Sequence, residues 1–373
     1  MMMRLILIIS VLLIISSSCK EPHPVTEVEI KNKTYPLELI KEREVKIDGL
    51  GYPGFVPLYN SDNIMISLEY KDKELLTFDS ELKLLERNRI KYGEGPNECL
   101  LPVVMGVSKE GFLVFDVTRL RYFLYDRELR SRKNISAEQR GWIPHGVNFS
   151  FTHETILSCY RTIVDSAWTT YDFHVYLRKL KGTRLENTEI FTFRFKFFLE
   201  NNVSIIGNPI HFRMIDDYVY ILKKIDYRIL KVDLEGNVVK EIRVPNFKKV
   251  RFSRRQRGDW LEATGSKLKR SQSIFPEYLW PANFIMELAG GIAVGRMEDY
   301  NPVKKDWIEA DYFDKNLNFL GKIKLPWFYY WNYPGHFQSD FSFYSKGDKL
   351  YLIERRDTDD DEEYWLTRWK IKK

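Results

Sequence analysis

The chain is poor in the residues that most directly announce chemistry. Its 373 residues include 3 Cys and 6 His. His23, His145, His153, His174, His211 and His336 show no H-x-x-x-H spacing, and the cysteines form no close pair, so no metal-ligand pattern is expected. No G-x-S-x-G string occurs, and Ser80 to Lys83, an S-x-x-K string, falls on a turn without its companion motifs. The run Leu5 to Ile15 has 11 residues, too few to cross a bilayer. Long Ala/Leu/Glu/Lys periods are nearly absent, which excludes a helical bundle. Asp357, Asp359 and Asp361 imitate the start of a calcium loop. Glu362 stands where that loop needs Gly and Arg368 where it needs Glu, so a solvated hairpin tip is expected instead.

Aromatic residues are plentiful, at 15%, and Tyr and Phe dominate them, which favours strands. Hydrophobic residues make up 44%, enough for a packed core. The net charge of +6 is concentrated. Between Asn246 and Ile274 nine Lys/Arg stand against two Asp/Glu, giving +7, so the other 344 residues sum to −1. Local basic character points to an anionic partner more strongly than an overall excess does.

Met1 to Ser18 has the plan of a signal peptide, with Arg4 before the apolar run. Ser16-Ser17-Ser18-Cys19 then looks like a bacterial lipobox, which implies an acylated Cys19 anchoring the chain to a membrane. Residues 19–37, with Pro22, Pro24 and Pro36, are expected to be a tether, and residues 38–373 the folded body. Cys99 and Cys159 either pair in an oxidising compartment or stay as buried thiols.

Short apolar runs joined by tight turns repeat along that body. The clearest set is Pro102 to Ile135, where Val103–Val107, Phe112–Phe115 and Tyr122–Tyr125 are separated by turns and followed by a more polar run. Similar sets occupy 54–90, 146–195, 209–244, 282–325 and 340–373. The spacing predicts an all-β, six-bladed β-propeller with a short helical insertion between blades 4 and 5, around 246–280. The last set stops after three strands. Glu38 to Ile47 is expected to supply the missing outer strand and close the ring.

Tyr92-Gly93-Glu94-Gly95-Pro96-Asn97-Glu98 resembles the G-x-G-P-x-E turn after the first blade of the six-bladed, TolB-like propeller lipoproteins of Bacteroidetes. The lipobox and the aromatic-Asp or Val-Asp endings of third strands agree with that family. The resemblance implies an envelope lipoprotein, on the periplasmic side of the outer membrane or at the cell surface.

Candidate binding residues come from two loop regions that propeller topology puts on one face. Arg254, Arg255 and Arg257 lie in the basic insertion, where they attract anionic glycans or sit against a negatively charged membrane. Trp327, Tyr330, Trp331 and Tyr333 form an aromatic run suited to stacking on sugars, anchoring a partner protein, or filling the wedge between blades. Asp165-Ser166-Ala167 is similar to the O-glycosylation site of Bacteroidetes secreted proteins. The function expected is binding or scaffolding, with an anionic saccharide or a protein as partner. No cofactor, metal or nucleic acid is expected. The alternative is a propeller hydrolase or lyase using the central funnel.

Overall fold

The computed structural model describes residues 24–48, 52–56, 58, 61–69, 73–116, 118–119, 121–137, 151–152, 155–164, 170–196, 210–247, 251, 281–296, 307–326, 343–357 and 362–372. Those residues are strands and turns in a propeller arrangement, with no helix among them. The expected helical insertion lies outside the described residues apart from Asn246, Phe247 and Arg251.

Two N-terminal strands, β1 (Val25–Glu27) and β2 (Glu38–Lys46), precede the repeats. The first sheet contains β3 (Tyr52–Val56), β4 (Ile64–Glu69), β5 (Lys73–Phe78), β6 (Leu84–Tyr92) and the short β7 (Glu98–Cys99). Next come β8 (Pro102–Ser108), β9 (Gly111–Asp116), β10 (Arg121–Tyr125) and β11 (Arg132–Ala137). These are followed by β12 (Phe151–Thr152), β13 (Thr155–Ile163), β14 (Thr170–Lys181) and β15 (Arg184–Lys196). The chain continues through β16 (Ile210–Ile215), β17 (Tyr218–Lys223), β18 (Arg228–Asp233) and β19 (Val238–Arg243). The fifth set is β20 (Ala282–Leu288), β21 (Gly291–Arg296), β22 (Trp307–Phe313) and β23 (Phe319–Pro326). The last strands are β24 (Phe343–Lys346), β25 (Lys349–Asp357) and β26 (Glu362–Lys372).

Six separate blades were expected, and the strands form five hydrogen-bonded sheets. The difference is local. β11 and β15 pair in parallel through Ser136↔Arg184 and Ala137↔Leu185, which fuses two four-stranded meanders into one eight-stranded sheet.

Inner and middle strands are apolar on both sides because each sheet is packed between two neighbours. Every residue of β9 (GFLVFD) and β21 (GIAVGR) is buried. Outer strands face solvent, and β6 (LLERNRIKY) is mostly exposed and charged. Hydrophobic clusters join neighbouring sheets. Phe55, Ile66, Tyr351 and Leu366 pack together across the first and last sheets, which closes the ring. A polar tie crosses from β18's sheet to β22's: Tyr227 donates to the fully buried Asp311 carboxylate at 2.5 Å, and Arg296 faces the other oxygen at 3.4 Å.

β2 pairs antiparallel with β26, from Glu38↔Lys372 to Lys46↔Trp365, so the N-terminal strand completes the last sheet. The segment before it was expected to be tether, yet from Val25 onward it is held to the ring. β1 pairs in parallel with β19, Thr34 bridges Lys322 of β23, and Tyr35 packs on Tyr312 with ring centroids 4.7 Å apart. The backbone amides and carbonyls of this stretch find partners along the outer strands, which is why it does not remain solvated. Residues 25–46 therefore form a belt across three sheets.

Candidate functional site

Cys19, Ser166, Arg254, Arg255, Arg257, Trp327, Tyr330, Trp331 and Tyr333 all lie outside the described residues. The described residues instead show three built features: a pocket, a polar relay and a locked turn.

The pocket opens on the face formed by first-to-second and third-to-fourth strand turns, opposite to the face expected from the sequence. Its walls are turns, some fixed within themselves and some by the neighbouring strand. Ser108 Oγ accepts from the amide of Glu110 at 3.0 Å and Arg127 donates to the Ser108 carbonyl at 2.7 Å, fixing the β8–β9 turn. Gly111 follows at φ 135°, and a Cβ there would lie 2.0 Å from the Tyr125 carbonyl oxygen. Asp216 turns β16 into β17 at φ 52°, a left-handed conformation that Asp tolerates. Gly182 turns β14 into β15 at φ 59°.

Between these turns lies a cavity of about 530 Å³. Lys109, Lys179 and Lys181 stand around it with Glu110, Asp216 and Asp217, over the apolar surface of Leu180, Met214 and Leu234. Lys181 pairs with Glu186 at 2.7 Å and Asp216 with Lys315 at 2.6 Å. Burial opposes the charge on Lys315, but Asp216 and Glu287 outweigh it and raise its pKa. The backbone oxygen of Lys315 accepts from Tyr220 at 2.7 Å and from Lys231 at 3.0 Å. The acidic wall is thus braced from the neighbouring sheet. A concave site of this volume with mixed charge over an apolar floor suits a small ligand. In the sequence these residues read only as turns, because nothing local shows that the turns of three repeats meet.

The relay spans β13, β14 and β15. Thr162 Oγ1 lies 3.0 Å from His174 Nε2, and His174 Nδ1 lies 3.2 Å from Glu189 Oε2. Tyr176 donates to the same carboxylate at 2.8 Å, and Thr192 donates to its other oxygen. Antiparallel register gathers these residues: His174 is paired with Thr192 and Tyr176 with Glu189 across β14–β15. Burial pushes the Glu189 pKa up, but the hydrogen bonds from Thr192, Tyr176 and His174 prevail and lower it. The arrangement holds a hydroxyl, an imidazole and a carboxylate within hydrogen-bond distance of one another, with Thr192 Oγ1 also 3.2 Å from His174 Nδ1.

The third feature is the Gly93–Glu98 turn. The Glu98 carboxylate folds back to accept from the Gly95 amide at 2.8 Å. It fills the space that a Cβ on Gly93 or Gly95 would occupy, at 2.1 and 2.9 Å. Arg132 donates to the carbonyls of Glu98 and Gly95, the latter at 3.0 Å, and its guanidinium lies 4.3 Å from the Phe123 ring centre. Cys99 is a free, buried thiol 3.1 Å from the Tyr125 hydroxyl, so it forms no disulfide with Cys159. Burial raises the pKa of that thiol. The Glu98 carboxylate and the Glu98 and Gly95 carbonyls are used within the protein, and through Arg132 they tie the first sheet to the second.

Among the described residues no three His, Cys, Asp or Glu side chains are grouped to hold a metal ion. No protein-family model matches the chain, and no curated protein matches it. Among solved structures it is similar to a member of the DUF4221 family from Bacteroides vulgatus, with TM-score 0.58 and 13% identity over 91% of this chain and 99% of that one. A candidate exported protein from Bacteroides fragilis has TM-score 0.47 and 13% identity, covering 94% of this chain and 99% of its own. An oligogalacturonate lyase in complex with manganese has TM-score 0.46 and 9% identity, covering 91% and 98%. At such identities the first likeness is one of fold alone, and the other two carry no argument.

Proposed function

We propose that the protein is a lipid-anchored protein of the bacterial cell envelope whose propeller binds a small ligand. The ring is read as six-bladed and TolB-like. Counting the eight-stranded sheet as two blades gives each meander its own pair of apolar contacts, with Met105 and Leu113 packing against Leu180 and Leu185 across the fused pair.

The observation that carries the binding reading is the cavity of about 530 Å³ at the junction of three repeats. Its lysines offer contacts to an anionic group, its carboxylates accept from sugar hydroxyls, and its apolar floor accepts the less polar face of a sugar ring. The fitting ligand class is a small anionic saccharide. A thermal-shift screen of charged and neutral saccharides on the folded protein should return an anionic hit, because a ligand of the native state raises Tm. Lys179→Glu should abolish the shift while leaving the unliganded Tm near that of the parent. A hit that ignores this change would place the ligand elsewhere, for example on Trp327, Tyr330, Trp331 and Tyr333 with Arg254, Arg255 and Arg257.

Anchoring at Cys19 belongs to the same reading. Cys19→Ala should release the protein from the membrane fraction, and a variant that stays membrane-bound would refute the anchor.

Hydrolysis is the second reading, and the Thr162–His174–Glu189 alignment favours it. The same screen read for turnover decides between the two, with His174→Ala as the variant that should lose any activity.

A further inference from the structure

Resting on the reading that Cys19 is acylated, we infer that the ring stands edge-on to the bilayer. Its membrane-facing surface is the outer edge of the β16–β19 sheet, laid against an anionic lipid leaflet.

The first argument is where the chain meets the ring. β1 is joined to β19 from Val25↔Glu241 to Glu27↔Arg243, and the amide of Val28 donates to the Arg243 carbonyl at 2.8 Å. Cys19 is six residues before Val25. A fully extended chain spans at most about 3.5 Å per residue, so the acylated residue lies within about 20 Å of this edge. A free tether running from residue 19 to residue 37 would have allowed every orientation. The belt removes that freedom, because Thr34 and then β2 are also held to outer strands.

The second argument is charge. The +7 stretch from Asn246 to Ile274 begins three residues after β19 ends at Arg243, while the other 344 residues sum to −1. Both membrane-seeking features, acyl chain and polybasic stretch, leave from one edge strand and its partner. Polybasic segments next to an anchor are drawn to anionic leaflets. The third argument is apolar exposure. Val25 and Val239 are 41% and 53% exposed. Val25 pairs with Glu241, two residues on from Val239, so the two valines share one side of the edge.

The opposite edge of the ring, β6, gives the control position. Leu85 there is 51% exposed, close to the 53% of Val239, so a probe at either position starts from similar exposure. The acylated full chain is reconstituted into vesicles of phosphatidylethanolamine and phosphatidylglycerol, with a clickable fluorophore at position 239 or 85. Nitroxide-labelled lipid should quench the probe at 239 several-fold more than the probe at 85. Replacing Arg254, Arg255 and Arg257 with Glu should reduce that contrast, as should high salt, which screens exposed charge. Equal quenching at both positions, or more at 85, overturns the orientation. Contrast that survives charge reversal overturns the anionic-lipid part and leaves the orientation to the anchor and the belt alone. A chain that does not float with the vesicles overturns the anchor and the orientation together, whereas floating with equal quenching overturns the orientation alone.

Discussion

At the scale of single residues, the turns show how a repeat is written. Asp79, Asp233 and Asp314 each end a third strand and accept from the amides two and four residues on, at 2.7–3.0 Å. Asp126 accepts from the Arg130 amide at 2.7 Å and the Ser131 hydroxyl at 2.8 Å. In each turn the third residue after the Asp is left-handed: Leu82, Leu129, Gly236 and Leu317. Self-bonding Asp side chains make such turns independent of the rest of the fold. Gly111 is different, since its surroundings dictate it. Its φ of 135° and the 2.0 Å clash of an added Cβ with the Tyr125 carbonyl mean that Gly111→Ala must displace backbone. We expect a loss of about 2 kcal/mol, read from the shift of the urea midpoint. The recurring Asp endings were legible in the sequence because their chemistry is local. Glu98 filling the space over two glycines was not, because a string of letters does not show a side chain folding back.

At the scale of elements, the N-terminal strand is the joint that closes the ring. Glu44 on β2 meets Arg356 at 2.5 Å and Lys41 at 2.7 Å. Hydrogen bonds from Arg356 and Lys41 hold its pKa down, from 4.5 to about 2. A carboxylate depressed in the folded state contributes stability that is present above its unfolded pKa and lost as pH falls through the folded one. The loss should therefore fall between about pH 4.5 and pH 2. Urea midpoints measured across that window should decline in the parent and decline less in Glu44→Gln. Equal slopes would show that the pair is too solvated to matter, as exposed pairs often are.

At the scale of the whole molecule, the belt separates closure from reinforcement. A chain beginning at Asp48 loses β2 and exposes the length of β26 as an unpaired edge, so it should aggregate or fail to fold. A chain beginning at Pro36 loses β1, the Thr34 bridge and the packing of Tyr35 on Tyr312, but keeps β2. It should fold and melt below the parent, because β2 still completes the last sheet. Thermal melts of the two truncations check this. An Asp48 chain that melts like the parent would remove β2 from the closure of the ring.

The sequence by itself determined the strands, the turns between them and the strand that completes the last sheet. Alternating apolar runs, Gly and Asp turn chemistry and a missing outer strand are properties of short segments, and short segments carry them whatever surrounds them. Tertiary structure alone decided which segments meet. Parallel pairing of Ala137 with Leu185 fused two repeats into one sheet. Backbone pairing with β19 and β23 turned a proline-containing leader into a belt. Turns from three repeats enclosed Lys109, Lys179 and Asp217 in one pocket. Each of these joins residues dozens or hundreds of positions apart. Their proximity comes from ring closure and the packing of whole sheets, which no local pattern encodes.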